Sequence, residues 1–252
     1  MTGFVDRTVE AGIARITIDR SARSNSLIPE LLEQLIAGFD TLRGDRSVRV
    51  VALSAVGENF STGGDIGAFW DHCDDLDTYA RHLVGLVNQT ILAMTRHPVP
   101  IVSAVQGMVT GGSLGLVAAS DVVIVEPATT LTPWYGVVGF APDGGWTALA
   151  PSIIGRSRTM RALATNRPIS AADAVAWGLA TEMVPSEHLR RRQDELAAEI
   201  ATMKPGSMAA AKRLLEPAGL EDALERERAS FVAQIATEEA RSGMAAFLGI
   251  TP

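Results

Sequence analysis

The sequence predicts an α/β fold with a largely parallel sheet and a helical C-terminal region. Three observations carry that expectation. Short β-branched runs alternate with segments of helical periodicity through residue 187, two of those runs lead into the same Thr-Gly-Gly turn, and beyond about residue 186 only helical periodicity is left. Taken in order, Ile16 and Ile18 alternate with Arg15, Thr17 and Asp19 behind an Ala11-Gly12 turn, which reads as a strand. Leu31, Leu35, Phe39 and Leu42 recur at helical spacing, with Pro29 early enough for a helix to tolerate it. Residues 48–56, VRVVALSAV, form the kind of run that makes a buried strand. A second helix carries Tyr79, Leu83, Val87, Ile91 and Met94 on one face and stops before Pro98, and residues 99–105 and 122–126 read as two more buried strands. In the last quarter, Leu189, Leu196, Ile200 and Met203 share one helix face, and Leu220, Leu224, Phe231 and Ile235 share another. The expected division is a core over 1–187 and a helical region over 188–252.

Composition excludes several function classes. At 252 residues and 47% apolar, the chain is large enough for a proper core and too apolar to be disordered. The single cysteine, Cys73, excludes a disulfide framework and a cysteine zinc site. With 22 basic and 29 acidic side chains the net charge is −7, which argues against nucleic acid as a partner. Asp121 and Glu126 interrupt the longest apolar stretch, so no membrane span is expected. The N-terminus lacks the basic-then-apolar layout of a secretory signal, which leaves a soluble, cytoplasmic protein as the expectation. His72, His82, His97 and His188 show no ligand spacing, so no metal is expected. The triple Arg190-Arg191-Arg192 reads either as an anion contact or as a solvated helix face.

The Thr-Gly-Gly turns carry the chemistry. Thr62-Gly63-Gly64 and Thr110-Gly111-Gly112 each follow a buried strand and precede a helix start. Glycine lets a ligand approach the main chain, and the first N–H groups of a helix have no internal partner. Two such turns supply the two donors that a developing oxyanion needs. Neither turn has the Gly-Lys-Ser/Thr of a P-loop or the spaced glycines of a dinucleotide fold. The second does fit G-x-S-x-G, and Ser113, Asp143 and His188 follow in the chain order of an α/β-hydrolase triad. Two features oppose a hydrolase: six residues separate the strand from Gly112, and Ser186 reads as the N-cap of an exposed helix turn holding His188.

RSARSNSL (20–27), NFSTGGDI (59–66), VSAVQGMVTGGSLGL (102–116), GFAPDGGWTAL (139–149) and ISAADAVAWGLATEMV (169–184) together resemble the crotonase, or enoyl-CoA hydratase/isomerase, superfamily. The resemblance implies a spiral of ββα units, a helical C-terminal region serving assembly, and a homotrimer or homohexamer. It implies an acyl-CoA thioester as substrate, with no cofactor beyond the coenzyme A that the substrate carries. Gly64 and Gly112 fall on the positions whose N–H groups hold the thioester oxygen in relatives. Gly64, Asp65, Ile66 and Gly67 would line the acyl-CoA, Ser24, Ser26 and Arg23 belong to a substrate-contacting stretch, and Phe69, Leu114, Trp134, Tyr135 and Phe140 would give the apolar lining. Arg20 and Arg23 flank the stretch that meets the CoA nucleotide, although an exposed loop arginine explains each equally well. The sequence ends where relatives continue with a basic tail near the CoA adenine, so that contact is not expected from the chain's own end.

The two glutamates of the family's hydratases are replaced here by Gly115 and Tyr135, neither of which can serve as a carboxylate base. Asp143 is the remaining acid, on an Ala-Pro-Asp-Gly-Gly turn. From spacing alone it reads as the cap of a helix starting at Trp146 or Thr147; from the resemblance it matches the catalytic aspartate of single-carboxylate isomerases. The expectation is an enoyl-CoA double-bond isomerase, with a hydratase-type lyase of fatty acid metabolism or a non-catalytic acyl-CoA binding protein as alternatives. Asp121 is expected to be structural, as Asp65 is in addition to its place in the lining.

Overall fold

In the computed structural model, which describes residues 3–250, a hairpin of β1 (Val5–Glu10) and β2 (Ile13–Ile18) opens the chain. Helix α1 (Pro29–Arg43) follows with Pro29 in its first turn, and buries Leu31, Leu35, Phe39 and Leu42 as their spacing predicts. Strand β3 (Val50–Ala55) leads through the first glycine turn to α2 (Ile66–Asp71) and α3 (Leu76–Thr95). Strands β4 (Ile101–Val105) and β5 (Met108–Thr110) lead through the second to α4 (Leu114–Ala118). Next come β6 (Val122–Val125), β7 (Thr130–Thr132), α5 (Tyr135–Val138), α6 (Ala150–Ile154), α7 (Arg156–Thr165), β8 (Ile169–Ser170), α8 (Ala171–Trp177) and β9 (Glu182–Met183). The chain finishes with α9 (Leu189–Ala201), α10 (Pro205–Leu215), α11 (Leu220–Ile235) and α12 (Glu238–Leu248).

Six strands form one sheet in the order β1-β2-β3-β4-β6-β9, parallel except for the opening hairpin. A second sheet, β5-β7-β8, runs beside it. Strand β3 is buried at all six positions because both faces are covered. Val51, Leu53 and Ala55 pack with α1 and α3, while Val50 and Ala52 join Val102, Ala104 and Ile124 beneath α9. That two-sided burial is why the run reads as continuous rather than alternating.

Helix α9 presents a different face from the expected one. Leu189, Gln193 and Ala197 are buried, Leu196 and Ile200 sit at the margin, and Met203 is 45% exposed beyond the helix end. Gln193 accounts for the rotation, because its side-chain amide Nε2 donates 2.8 Å bonds to the Leu53 and Val102 carbonyls. Ser186 is not a helix cap either; it starts a 3-10 turn, and His188 beside α9 is half-buried. The arginine triple is spent within the protein: Arg190 donates to the Ala55 carbonyl, and Arg191 and Arg192 pair with Glu195 and Glu182. Helices α11 and α12 return to the main core through Leu220, Leu224, Phe231, Ile235 and Met244. No described helix is long and apolar enough to cross a membrane.

Candidate active site

The two glycine turns lie side by side because the strands before them do. Ser61 bridges to Val109 in parallel register, and Leu27 bridges to Gly64. Gly63 (φ +75°) and Gly111 (φ +51°) take the left-handed conformation, and a Cβ at Gly63 would stand 2.7 Å from the Thr110 carbonyl oxygen. A hydroxyl relay fastens the turns: Gly63 N–H donates to Ser113 Oγ at 2.9 Å, Ser113 bonds to Ser61 Oγ, and Ser61 donates to the Asn25 carbonyl at 2.7 Å. Ser113 is therefore a fully buried tie between loops, and its hydroxyl meets neither Asp143 nor His188. The hydrolase reading fails on this contact rather than on the loop length, since β5 ends directly before Gly111. Among the described residues, neither Gly64 N–H nor Gly112 N–H donates to a protein acceptor.

Both glycines line a cavity of about 480 Å³. Gly64, Asp65, Ile66 and Gly67 line it as expected, with Ser24, Ser26 and Arg23 at one side and Trp134, Tyr135, Phe69 and Phe140 at another. Leu114 does not; it is fully buried behind the turn. Sequence reasoning missed Met108, Leu83, Phe231 and Phe247. Phe231 and Phe247 come from the region assigned to assembly, so α11 and α12 supply part of the wall as well.

Asp143 lies directly over the second turn. A Cβ added at Gly112 would stand 3.2 Å from both carboxylate oxygens. Tyr135 donates to Asp143 Oδ1 at 2.7 Å and shares its proton with the Asp143 carbonyl at 3.0 Å, while Oδ2 has no protein partner and borders the cavity. Trp134 orients Tyr135 from a left-handed backbone (φ +66°) that the Asn166 side chain holds by accepting from Trp134 N–H. Burial drives the Asp143 carboxyl up to about 7; the Tyr135 bond opposes this and the nearby Glu227 charge adds to it. The Asp143 carboxylate caps no backbone N–H; only its main-chain carbonyl accepts one, from Trp146 N–H at 3.2 Å. The turn that follows it is capped by Glu227, which accepts from Gly145 N–H, Thr147 N–H and Ala148 N–H.

Asp65 borders the same cavity with its carboxylate fully engaged. It accepts from Arg20 at 2.9 Å, Arg23 at 3.2 Å, Ser26 at 3.1 Å and the Ala68 N–H at 3.3 Å, the last as the N-cap of α2. Burial disfavours its charge, but the two guanidinium groups outweigh burial and hold its pKa below the ordinary range. Arg20 is consumed by Asp65 and Ser26, so it is not a free cation for a nucleotide, whereas Arg23 stays 61% exposed at the rim. Asp121 is structural as expected, bonding Ile101 N–H and Lys212. Among the described residues no group of histidines, cysteines and acids could hold a metal ion.

The hydratase position at Gly115 is closed by packing. A Cβ there would meet Ile91 Cδ1 at 2.5 Å and the Gly144 carbonyl at 2.9 Å. A glutamate could not be accommodated without moving the Asp143 turn.

A family model described as Enoyl-CoA hydratase/isomerase matches residues 8–250. Similar proteins include the trans-2-decenoyl-acyl-carrier-protein isomerase of Streptococcus mutans, 28% identical over 82% of this chain and 78% of that protein. The 1,2-epoxyphenylacetyl-CoA isomerase of Escherichia coli is 26% identical over 98% of this chain and 96% of its own length. The crystal structure of an enoyl-CoA hydratase from Mycobacterium avium subsp. paratuberculosis superposes with a TM-score of 0.88, covering 100% of this chain and 98% of that one at 25% identity.

Proposed function

The chain belongs to the enoyl-CoA hydratase/isomerase family of acyl-CoA enzymes, with the crotonase fold, and from that premise we propose that it is a double-bond isomerase working through one carboxylate, Asp143. One observation carries the reading: of the two acids that line the cavity among the described residues, Asp65 is saturated by protein donors, whereas Asp143 has a free oxygen and a pKa near neutrality. In the proposed reaction the thioester oxygen of a 3-enoyl-CoA sits between Gly64 N–H and Gly112 N–H. Asp143 Oδ2 takes a proton from C2, and the electron pair shifts onto the thioester oxygen as a dienolate. The same carboxyl then returns a proton to C4 on the same face, leaving the double bond conjugated. Hydration would need a second acid or base to handle water, and Gly115 and Tyr135 supply none.

Purified protein mixed with 3-enoyl-CoA, 2-enoyl-CoA and saturated acyl-CoA tests this. Isomerisation gives a rise in conjugated-enoyl absorbance with the first. Loss of that absorbance with the second identifies a hydratase, and binding of all three without turnover identifies a non-catalytic acyl-CoA binder. Either of the last two results removes the proposal.

A further inference from the structure

Glu227 is buried to 3% exposure on α11, far along the chain from both glycine turns, and the reaction proposed above does not use it. It breaks an apolar stripe of Leu220, Leu224 and Phe231, so its burial has to be compensated. Four donors converge on it. Oε2 accepts from Gly145 N–H at 2.8 Å, and Oε1 accepts from Thr147 N–H, from Thr147 Oγ1 at 2.7 Å and from Ala148 N–H at 2.9 Å. Burial pushes the Glu227 carboxyl above its ordinary range and the donated bonds oppose it; because all four groups donate, the acceptor-only, ionised carboxylate is the form that fits.

The held segment begins two residues after Asp143. Gly144 lies between them with its backbone pressed on Gly112; a Cβ at Gly144 would overlap Gly112 Cα and its carbonyl. A rigid path therefore runs from α11 through Gly145 and Gly144 to Asp143 on one side and the Gly112 N–H on the other. We propose that Glu227 is a positioning residue for the reaction: it clamps the Asp143 turn onto the second oxyanion turn and places its carboxylate behind the Asp143 carboxyl. This rests on the isomerase reading for its substrate but not for its geometry. It makes the C-terminal helical region part of the catalytic apparatus.

The titratable groups facing Asp143 are Tyr135 on α5 and Glu227 on α11; Asp65, paired with Arg20 and Arg23, lies across the cavity. Removing the Glu227 charge leaves the Tyr135 bond in place and makes Asp143 easier to ionise. Glu227→Gln also loses the bond to Gly145, since its amide nitrogen cannot accept.

The experiment is the pH dependence of kcat/KM on 3-enoyl-CoA for wild type, Glu227→Gln, Glu227→Asp and Asp143→Asn. Glu227→Gln is expected to lose about tenfold in kcat with KM little changed, and its acid limb moves to lower pH than the wild-type limb at about 7. A purely structural cap would not move that limb. Wild-type kcat and an unmoved limb in Glu227→Gln overturn the proposal. Where circular dichroism shows Glu227→Gln to be misfolded, Glu227→Asp decides: it keeps the charge but withdraws it from Asp143, so reduced kcat with the limb moved part of the way to lower pH supports the proposal, and an unmoved limb overturns it. Full turnover by Asp143→Asn instead means that the isomerase mechanism itself is wrong.

Discussion

Asp65 and Asp143 border one cavity and are almost equally buried, at 5% and 6% exposure, yet they are driven in opposite directions. Asp65 receives two arginines, a serine and a main-chain N–H, and its charge is locked in. Asp143 receives a single tyrosine hydroxyl and stands within the field of Glu227, so its proton affinity rises to about 7. Burial alone does not make a carboxylate a working base. Two things differ: Asp143 is more completely enclosed by protein and so more strongly desolvated, and it is given fewer donors; the under-supplied group is the one free to trade a proton.

The widest separation between the two is expected in turnover. Asp143→Asn is expected to reduce conjugation of a 3-enoyl-CoA on the order of 10³-fold. Asp65→Asn keeps its acid–base chemistry, so equal losses in the two variants would break the distinction.

Stability comes next, and the two signs oppose each other. The lowered Asp65 pKa contributes stability that is fully present above the ordinary value of 3.8 and fades as pH falls through the folded value below it. Asp65→Asn takes the charged partner from half-buried Arg20, which keeps only Ser26, a loss of about 2 kcal/mol at neutral pH. The raised Asp143 pKa does the reverse: the folded state is penalised increasingly from pH 3.8 to about 7, and fully above that. Thermal melts at pH 8 are thus expected to place Asp65→Asn below wild type and Asp143→Asn above it, with the latter gap closing in acid. Two variants shifting the same way would show that the environments are not opposed.

Tyr135→Phe sharpens the comparison further by removing the one donor that Asp143 has. Its acid limb is expected to move above about 7, with about tenfold lower kcat/KM from the loosened carboxyl. A limb moving downward would contradict the role given to that bond. The smallest effect belongs to Arg23→Ala at the rim: a KM for acyl-CoA raised about threefold at low salt with kcat unchanged, and the difference shrinking as salt is added.

How far the sequence reveals this site depends on whether a residue acts locally or across the fold. The α/β core, the parallel pairing and both Thr-Gly-Gly turns are legible because strand and helix periods and the glycines are local signals. The short strand β5 is not, since three residues carry no period. The long-range partners were invisible: Arg20 meets Asp65 across 45 positions and Glu227 meets Gly145 across 82. That is why Arg20 reads as a free cation and Asp143 as a helix cap until the fold brings their true partners in. One hint of Glu227 was available, an acid in line with Leu220, Leu224 and Phe231 on an otherwise apolar face.

The most direct test of the opposed aspartates is kcat/KM for conjugation of 3-enoyl-CoA from about pH 5 to about pH 9, for wild type and Asp65→Asn side by side. Activity is expected to rise with pH through a limb at about 7 that belongs to Asp143 and is present in both proteins. A limb in the ordinary carboxylate range near 4, or one that disappears with Asp65, would contradict it.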